Sequence, residues 1–302
     1  MGRFVPYGIE INGTAIGGIT EQSIASGVEI NSEVTAGATA PQFGEVNQIG
    51  SVGSFTSHDI PAVLGLTGSK GICLSGAGFA LHQIDKEDCG SLNSGDVHRK
   101  VSIGRGYVVP RTLTAQQGQR ATISCEILAI FDGTNKPVTV ATGQALPTGI
   151  TDSIGLHLGD AQLAGTAITR KTSLNIDFGV AIEAEFDDGE SYPKSLQVNS
   201  NQPKLTIATH DVAKFGDAVI PLEGVKGEHS NTFVMLRRRK LATGDFETGG
   251  VHTKISAHGL VTADNITSAS NNTPHSMNVM VTALDDTNND MLIMSFTETL
   301  PT

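Results

Sequence analysis

The stretch Gly95-Asp-Val-His-Arg-Lys-Val-Ser102 returns later in the chain as Gly249-Gly-Val-His-Thr-Lys-Ile-Ser256. The two stretches lie 154 positions apart, and at that spacing residues 78–137 align with residues 232–291 without a gap. Apolar residues also replace one another at several aligned positions, as Val101 and Ile255 illustrate. Identical residues at a constant spacing, together with apolar residues that recur in the same phase, predict a tandem duplication.

The similarity continues upstream, where Phe55-Thr-Ser-His-Asp-Ile60 returns as Ile207-Ala-Thr-His-Asp-Val212. Each copy has the length of one ordinary domain, and a period this long excludes a solenoid of short repeats. We therefore predict two homologous domains, residues 1–147 (the first repeat) and residues 148–302 (the second repeat). The stretch 142–149, which is rich in Gly and Pro, is the predicted linker.

The composition favours strands and turns: the 302 residues include 35 Gly and no Trp, with short runs rich in Val, Ile and Thr. The net charge is −11, which argues against binding of duplex nucleic acid through a basic face. The N-terminus lacks an apolar stretch typical of a signal peptide, and no run of 18 apolar residues occurs. We expect a soluble chain that folds in a reducing cytoplasm, with Cys73, Cys89 and Cys125 as buried free thiols.

Period-two alternation of apolar and polar residues, as in Ser173-Leu-Asn-Ile-Asp-Phe178, predicts strands with one buried face. The predicted fold is mainly β, with two tandem β-sandwich or barrel domains that each carry one short α-helix and long loops. The long strands are predicted at 72–84, 97–109 and 121–132 and, in the second repeat, at 226–238, 251–263 and 275–286. Residues 35–53 and 187–203 are predicted to be long loops, which often carry partner contacts.

Each repeat has one helix signal. Ser57 and Asp59 in the first repeat, and Thr209 and Asp211 in the second, are candidate helix caps, because hydroxyl and carboxylate oxygens accept hydrogen bonds from the free N–H groups of a first turn. A closing Gly follows each signal, so helices of about two turns are expected. The His-Asp pairs formed with His58 and His210 could suggest acid–base catalysis, but adjacent residues at a helix start do not face each other. Helix capping is therefore the preferred interpretation.

Candidate sites with reactive chemistry are few. His98 and His252 each lack a second metal ligand at a useful spacing and are interpreted as structural. The basic run Arg237-Arg238-Arg239-Lys240 is too short for a nucleic-acid footprint. It is interpreted as either a contact with an acidic neighbouring subunit or a solvated strand end, and its places in the first repeat are assigned to residues 83–86. We expect no catalytic residue, no cofactor and no metal site, because no phosphate-binding, dinucleotide or nucleophile motif occurs in a usable context.

This layout resembles the major tail tube proteins of long-tailed bacteriophages. The resemblance covers nearly the whole chain and rests on the order of strands, long loop, short capped helix and Gly-rich turns on an acidic chain without Trp. In that family single-domain subunits form hexameric rings, and a subset with two fused domains forms pseudo-hexameric rings of three chains. The duplication matches this subset.

The resemblance implies a structural virion protein of a siphovirus-type tail, assembled in the cytoplasm of the bacterial host, with neither catalysis nor cofactor. Homotrimers would stack into a helical tube and contact the terminator, tape-measure and tip proteins. DNA would pass through the lumen without specific binding, and no membrane would be involved. The strands at 97–109 and 121–132, with their equivalents, would line the tube, and the predicted loops would reach neighbouring subunits or rings.

Two alternatives from other classes remain at this point. One is a different phage structural part, such as a tail hub or a decoration protein. The other is a two-domain β-sandwich module that binds a carbohydrate or a host surface, although the absence of Trp and the presence of three Tyr give it little aromatic surface.

Overall fold

The structure, a computed structural model, describes residues 3–25, 28–49, 51–87, 90–150, 155–187, 192–215, 220–221, 223–240, 243–268, 276–285 and 290–299. Within these ranges the chain consists of antiparallel strands, one α-helix and one 3-10 turn. The prediction of a mainly β fold is confirmed.

The strands follow one another in the same order in both repeats. Those of the first repeat are β1 Arg3–Ile11, β2 Thr14–Ile16, β3 Ile19–Ile24, β4 Val28–Glu33, β5 Phe43–Ile49, β6 Ser51–Ser57, β7 Ile72–Leu74, β8 Phe79–Lys86, β9 His98–Ile103, β10 Gly106–Gln116, β11 Thr122–Ala129 and β12 Val138–Gln144, with helix α1 Ile60–Thr67 after β6. Those of the second repeat are β13 Leu156–Leu163, β14 Thr166–Ile168, β15 Lys171–Asp177, β16 Val180–Glu185, β17 Ser195–Asn201, β18 Lys204–Thr209, β19 Val225–Gly227, β20 Phe233–Arg238, β21 His252–Ala257, β22 Gly259–Ser268, β23 Ser276–Ala283 and β24 Leu292–Glu298, with a 3-10 turn Val212–Lys214 after β18.

One sheet occurs twice. The first repeat forms a five-stranded sheet in the order β12-β9-β8-β1-β2, and the second repeat forms another in the order β24-β21-β20-β13-β14. Each strand has its counterpart at the same place, so the duplication seen in the sequence is also present in the strand pairing.

The other sheet is shared by the two repeats. It has ten strands, in the order β19-β22-β23-β18-β15-β10-β11-β6-β3, and β7 pairs with β10 beside this path. The two halves of the sheet are equivalent strand for strand, and they meet where β10 pairs with β15. The two predicted domains, residues 1–147 and 148–302, therefore share one continuous sheet.

The core lies between this large sheet and the five-stranded sheets. In β11, Ile123, Cys125 and Ile127 are buried, and they alternate with partly exposed residues. In the first repeat, the rings of Phe55 in β6 and Phe79 in β8 stack with centroids 6.0 Å apart. Burial of these apolar faces is the main favourable contribution to folding.

The predicted loops at 35–53 and 187–203 are wrong over much of their length. Phe43–Ile49 pairs with Val28–Glu33, and Ser195–Asn201 pairs with Val180–Glu185, so each repeat carries a two-stranded hairpin apart from the main sheets. In β17 no residue is buried. A strand without a buried face leaves no apolar alternation in the sequence, which explains the error.

Two other boundaries also differ from the prediction. The single strand expected at 97–109 is two strands, because a bend at Gly104–Arg105 separates β9 from β10 and places them in different sheets. The predicted linker is partly strand, since Thr142 and Gln144 belong to β12 and pair with β9.

The gapless alignment fails by one residue at the basic run. The isolated bridge between Lys86 and Leu92 corresponds to the bridge between Arg239 and Phe246, which spans one more residue. The longer loop of the second repeat accommodates this residue. Arg239 is therefore the counterpart of Lys86, and the assignment of Arg237–Lys240 to residues 83–86 is wrong by one position.

Candidate functional site: the joint between the repeats

The most extensive contact between the repeats is the pairing of β10 with β15. It runs from Thr112 opposite Asp177 to Gln116 opposite Ser173. Within it Leu113 lies opposite Ile176, and both side chains are fully buried. Main-chain hydrogen bonds extend the pairing at both ends, where the N–H of Phe178 donates to Arg111 and the N–H of Gln117 donates to Thr172, at 3.0 and 2.9 Å.

Side chains add to this joint on the side of the β16–β17 hairpin. The Arg111 guanidinium binds Glu126, with Nε 2.6 Å from Oε2, and also donates to the main-chain carbonyl of Val180. The rings of Phe131 and Tyr192 lie 5.8 Å apart. The hairpin is therefore held against the first repeat at its base, through Val180, and near its far end, through Tyr192.

The joint also connects the five-stranded sheet of the second repeat to the first repeat. The N–H of Ala121 donates to the carbonyl of Leu156 at 2.7 Å. His58 Nδ1 lies 2.8 Å from the carbonyl of the same Ala121, so Nδ1 carries the proton and donates it. A joint of this kind uses two different surfaces, one from each repeat, which makes it heterologous.

The counterparts of the two joint strands each have an edge that no strand of the described chain covers completely. β3 is the counterpart of β15 and pairs with β6 alone, and β22 is the counterpart of β10 and pairs with β23 and, through Gly259 to Val261, with β19. Within the described ranges no strand pairs with the outer edge of β3 or with the second half of that edge of β22. Such edges present unpaired main-chain groups to another strand.

The candidate cap residues of the first repeat have separate roles. Asp59 caps α1, with its Oδ1 accepting a hydrogen bond from the N–H of Ala62 at 3.2 Å. Burial raises the pKa of the Asp59 carboxyl above its ordinary value. Ser57 is not a helix cap, because its Oγ donates to Gly17 at 2.8 Å and accepts from the N–H of Asp59.

The second repeat does not form the predicted two-turn helix at the described residues 212–214, which make a 3-10 turn. Asp211 caps nothing there. Its Oδ2 accepts from the hydroxyl of Thr169 at 2.6 Å, which holds the pKa of Asp211 below its ordinary value. Thr209 repeats the part played by Ser57, donating to Thr169 and accepting from the N–H of Asp211. Where α1 buries Val63 and Leu64, this segment has Phe215 and Gly216 in sequence, so less apolar surface favours a helix.

His98 and His252 serve the same structural purpose in the two repeats. Each Nδ1 accepts a main-chain N–H, from Asp85 at 3.2 Å and from Arg238 at 3.0 Å. An Nδ1 that accepts carries no proton, so each ring is the neutral Nε2–H tautomer when the bond is made. Both side chains are buried.

The basic run is built into the second repeat and is only partly exposed. Arg237 forms an ion pair with Asp160, and the guanidinium of Arg239 lies 4.8 Å from the ring centroid of Phe246. Arg238 is half-buried, and its charge lowers the pKa of Asp59 in the first repeat, against the larger effect of burial. Arg239 and Lys240 are exposed. Sequence reasoning missed that this run faces the joint, because Asp59 lies far from it in the chain.

The cysteines differ in exposure. Cys125 is buried, and burial raises the pKa of its thiol, whereas Cys73 is exposed. The prediction of a buried thiol is therefore wrong for Cys73, which lies on the short edge strand β7. Cys89 lies outside the described residues.

The face of the large sheet that turns away from the core is polar. Along β11 it carries Thr122, Ser124 and Glu126, and across the joint Asn175 and Asp177 continue it. Among its described charges, Arg111 is paired with Glu126, and Lys204 of β18 lies opposite Asp177. This face is broad and carries hydroxyl, amide and charged groups.

In the part of the chain that the structure describes, no group of three or more His, Cys, Asp or Glu side chains is placed to hold a metal ion. None of the described helical segments is long and apolar enough to cross a membrane. No protein-family model matches the chain, and no curated protein sequence matches it.

Proposed function

We propose that this chain is the tail tube protein of a siphovirus-type bacteriophage: three copies form a pseudo-hexameric ring, and stacked rings form a tube that conducts DNA. The observation that carries the proposal is the pairing of β10 with β15. The same two surfaces recur as β22 and β3, which are free at opposite ends of the ten-stranded sheet.

A heterologous contact that repeats itself produces a ring if the rotation closes and an open filament if it does not. In the proposed ring, β22 of one chain pairs with β3 of the next in the manner of β10 with β15. Every joint around the ring then has the same pattern, alternately within and between chains. Closure also removes the free edges of the sheet, which otherwise favour aggregation.

The residues at the β3 edge fit this role. Leu174 and Ile176, which line the joint from β15, are buried, whereas their counterparts Gln22 and Ile24 on β3 are half-buried. A neighbouring β22 would cover Ile24 as β10 covers Ile176. An apolar residue that is partly exposed on an edge strand suits an edge with which another strand pairs in the assembly.

The polar face of the large sheet would then line the lumen. Six repeats that each contribute four strands exceed the roughly 16 to 18 strands that leave an aqueous channel in porins. On this face Glu126 is paired with Arg111, and Asp177 lies opposite Lys204, so these charges balance and offer DNA phosphates little net attraction. Weak attraction of this kind would allow the genome to slide through without sticking.

In this role the chain acts without catalysis or a cofactor. Its partners are further copies of itself and the terminator, tape-measure and tip proteins of the tail. It is assembled in the bacterial cytoplasm and resides in the virion.

The test is the mass and shape of the purified protein across a range of concentrations, by light scattering and negative-stain electron microscopy. We expect rings with three times the mass of one chain, and hollow tubes. The variant Ile24→Lys should stay monomeric, because a lysine on a free edge blocks strand addition. Ile293→Lys is the matched control, since Ile293 is 46% exposed on β24 of the five-stranded sheet.

A wild-type protein that remains a monomer at every concentration would overturn the proposal and favour the alternative of a two-domain binding module. Rings that never stack would instead favour a tail hub. Normal rings from Ile24→Lys would disprove closure through β3.

A further inference from the structure

A cleft of about 290 Å³ opens where the two repeats meet, beside the end of β10. Four basic side chains line it: Arg170, Lys171, Arg237 and Arg239. The carboxylate among its lining residues is Asp160, which is bound to Arg237. On a chain with a net charge of −11, this concentration of positive charge is a local exception.

Three of the four cations that line the cleft, Lys171, Arg237 and Arg239, are held by contacts. Lys171 Nζ donates to the carbonyl of Ile168 at 2.8 Å, and burial lowers the pKa of this ammonium. Phe246 lies beneath two guanidinium groups, with Arg237 5.3 Å and Arg239 4.8 Å from its ring centroid. Arg170 and Arg239 are exposed, and they form no ion pair among the described residues. Arg239, which is held against Phe246 without a carboxylate partner, suits a charge-assisted hydrogen bond to an anion.

The opposite end of β10 carries the complementary charge. From Arg111 the β16–β17 hairpin runs toward the start of β10, and its far end lies near Phe131, where the N–H of Phe131 donates to Pro193 at 3.0 Å. The hairpin exposes Glu183, Glu185 and Asp187. Since β10 has 11 residues, about 35 Å separate its two ends. The acidic hairpin and the basic cleft therefore lie at opposite rims of the same sheet.

We infer that the cleft binds the acidic β16–β17 hairpin of a second copy of this chain, stacked end to end on the first. This inference rests on the proposed function and assigns the contact between rings. The charges favour this occupant: in the described part of the hairpin Asp187 is paired with Lys194, whereas Glu183 and Glu185 are exposed, hydrogen-bond only Asn199, Gln197 and Ser195, and form no ion pair. Because cleft and hairpin differ, the contact repeats in one direction and gives a polar filament.

Because the contact is electrostatic, it determines the orientation and the rate of stacking more than the affinity between rings. Exposed ion pairs are weak individually, and stacking would draw on several equivalent contacts around each ring. Added salt should separate rings before it separates the chains within a ring, whose joints are main-chain hydrogen bonds and buried apolar side chains.

The first experiment reverses the charge on each side. Arg170→Glu/Arg239→Glu should give rings of normal mass that do not stack, and Glu185→Lys/Asp187→Lys should do the same. A mixture of the two variants, or all four changes in one chain, should restore tubes. Lys70→Glu is the matched control, because Lys70 is exposed and lies outside the cleft. Tubes from the Arg170→Glu/Arg239→Glu variant, with wild-type yield and salt resistance, would overturn the inference and leave ring formation intact.

A second experiment does not depend on rings. Fluorescein-labelled Ile24→Lys protein that also carries Arg170→Glu/Arg239→Glu, and so keeps only the hairpin, is titrated with unlabelled Ile24→Lys protein, and anisotropy reports binding. We expect at least a tenfold weaker affinity when the unlabelled protein also carries Arg170→Glu/Arg239→Glu, and a similar loss when Glu183, Glu185 and Asp187 of the labelled protein become Gln, Gln and Asn. Equal binding of that neutralised protein, or displacement by millimolar inorganic phosphate alone, would mean a nonspecific anion site and would reject the hairpin as occupant.

Discussion

Phe4 and Leu156 occupy equivalent positions in the two repeats. Each lies opposite the strand residue, Asp85 or Arg238, whose N–H binds the Nδ1 of a buried histidine. Leu156 sits at the joint and is fully buried, whereas Phe4 is 36% exposed. The same place in the fold is therefore covered in one repeat and open in the other.

This difference predicts separate effects for two substitutions. Phe4→Ser should weaken ring formation and cost the monomer less stability than Leu156→Ala does, because part of the Phe4 ring is exposed in the single chain. Leu156→Ala should lower the free energy of unfolding by about 2–5 kcal/mol, as for other buried leucines. Sedimentation velocity and thermal unfolding separate the two effects. Ring formation by Phe4→Ser at wild-type concentrations would remove Phe4 from the interface.

The histidines should contribute to stability and to no reaction. His98→Ala and His252→Ala each leave a buried main-chain N–H without its acceptor, which costs about 1–3 kcal/mol. Denaturant unfolding measures this loss. His210→Ala is a suitable comparison at a partly exposed site. A loss no larger than that of His210→Ala would mean that water replaces the imidazole.

Asp59 and Asp211 should respond to pH in opposite directions. The folded pKa of Asp59 is raised, so its contribution to stability is greatest at acid pH and falls as the pH rises through the unfolded and then the folded pKa. The folded pKa of Asp211 is lowered, so its contribution is present above about pH 4 and is lost as the pH falls through the folded pKa. Unfolding of wild type, Asp59→Asn and Asp211→Asn between pH 3 and pH 7 should show difference curves of opposite slope. Parallel curves would contradict the assignment.

The thiols should differ in reactivity. In a Cys89→Ser background, Ellman's reagent should modify Cys73 quickly, because the residue is exposed. Cys125 should react only after unfolding, since it is buried and its pKa is raised. Cys73→Ser identifies which thiol gives the fast phase. Rapid modification of Cys125 in the native protein would show that β11 opens easily.

The sequence pattern predicted the strands that have a buried face and did not predict those without one. Alternation at 121–132 and 275–286 predicted strands that are found as β11 and β23, because apolar side chains line the core at every second position. The exposed strand β17 has no such pattern.

The joint was also missed. Pairing between Thr112–Gln116 and Ser173–Asp177 depends on main-chain groups that every residue has. The basic run was noticed, but its place was not, because Arg170 and Arg237 come together only when β13 and β20 pair. Long-range proximity of this kind leaves no local signal in one sequence.

The pairing of β10 with β15 also has a kinetic consequence. Because both strands belong to one polypeptide, this contact forms at a high effective concentration while the chain folds, whatever the amount of protein in the cell. The proposed ring of six repeats then forms three joints between molecules instead of six, and fewer bodies lose their translational freedom. Fusion also allows the two kinds of joint to differ in sequence. The internal joint can be strong and permanent, while the proposed joint between chains can stay weak enough for a wrongly placed subunit to dissociate.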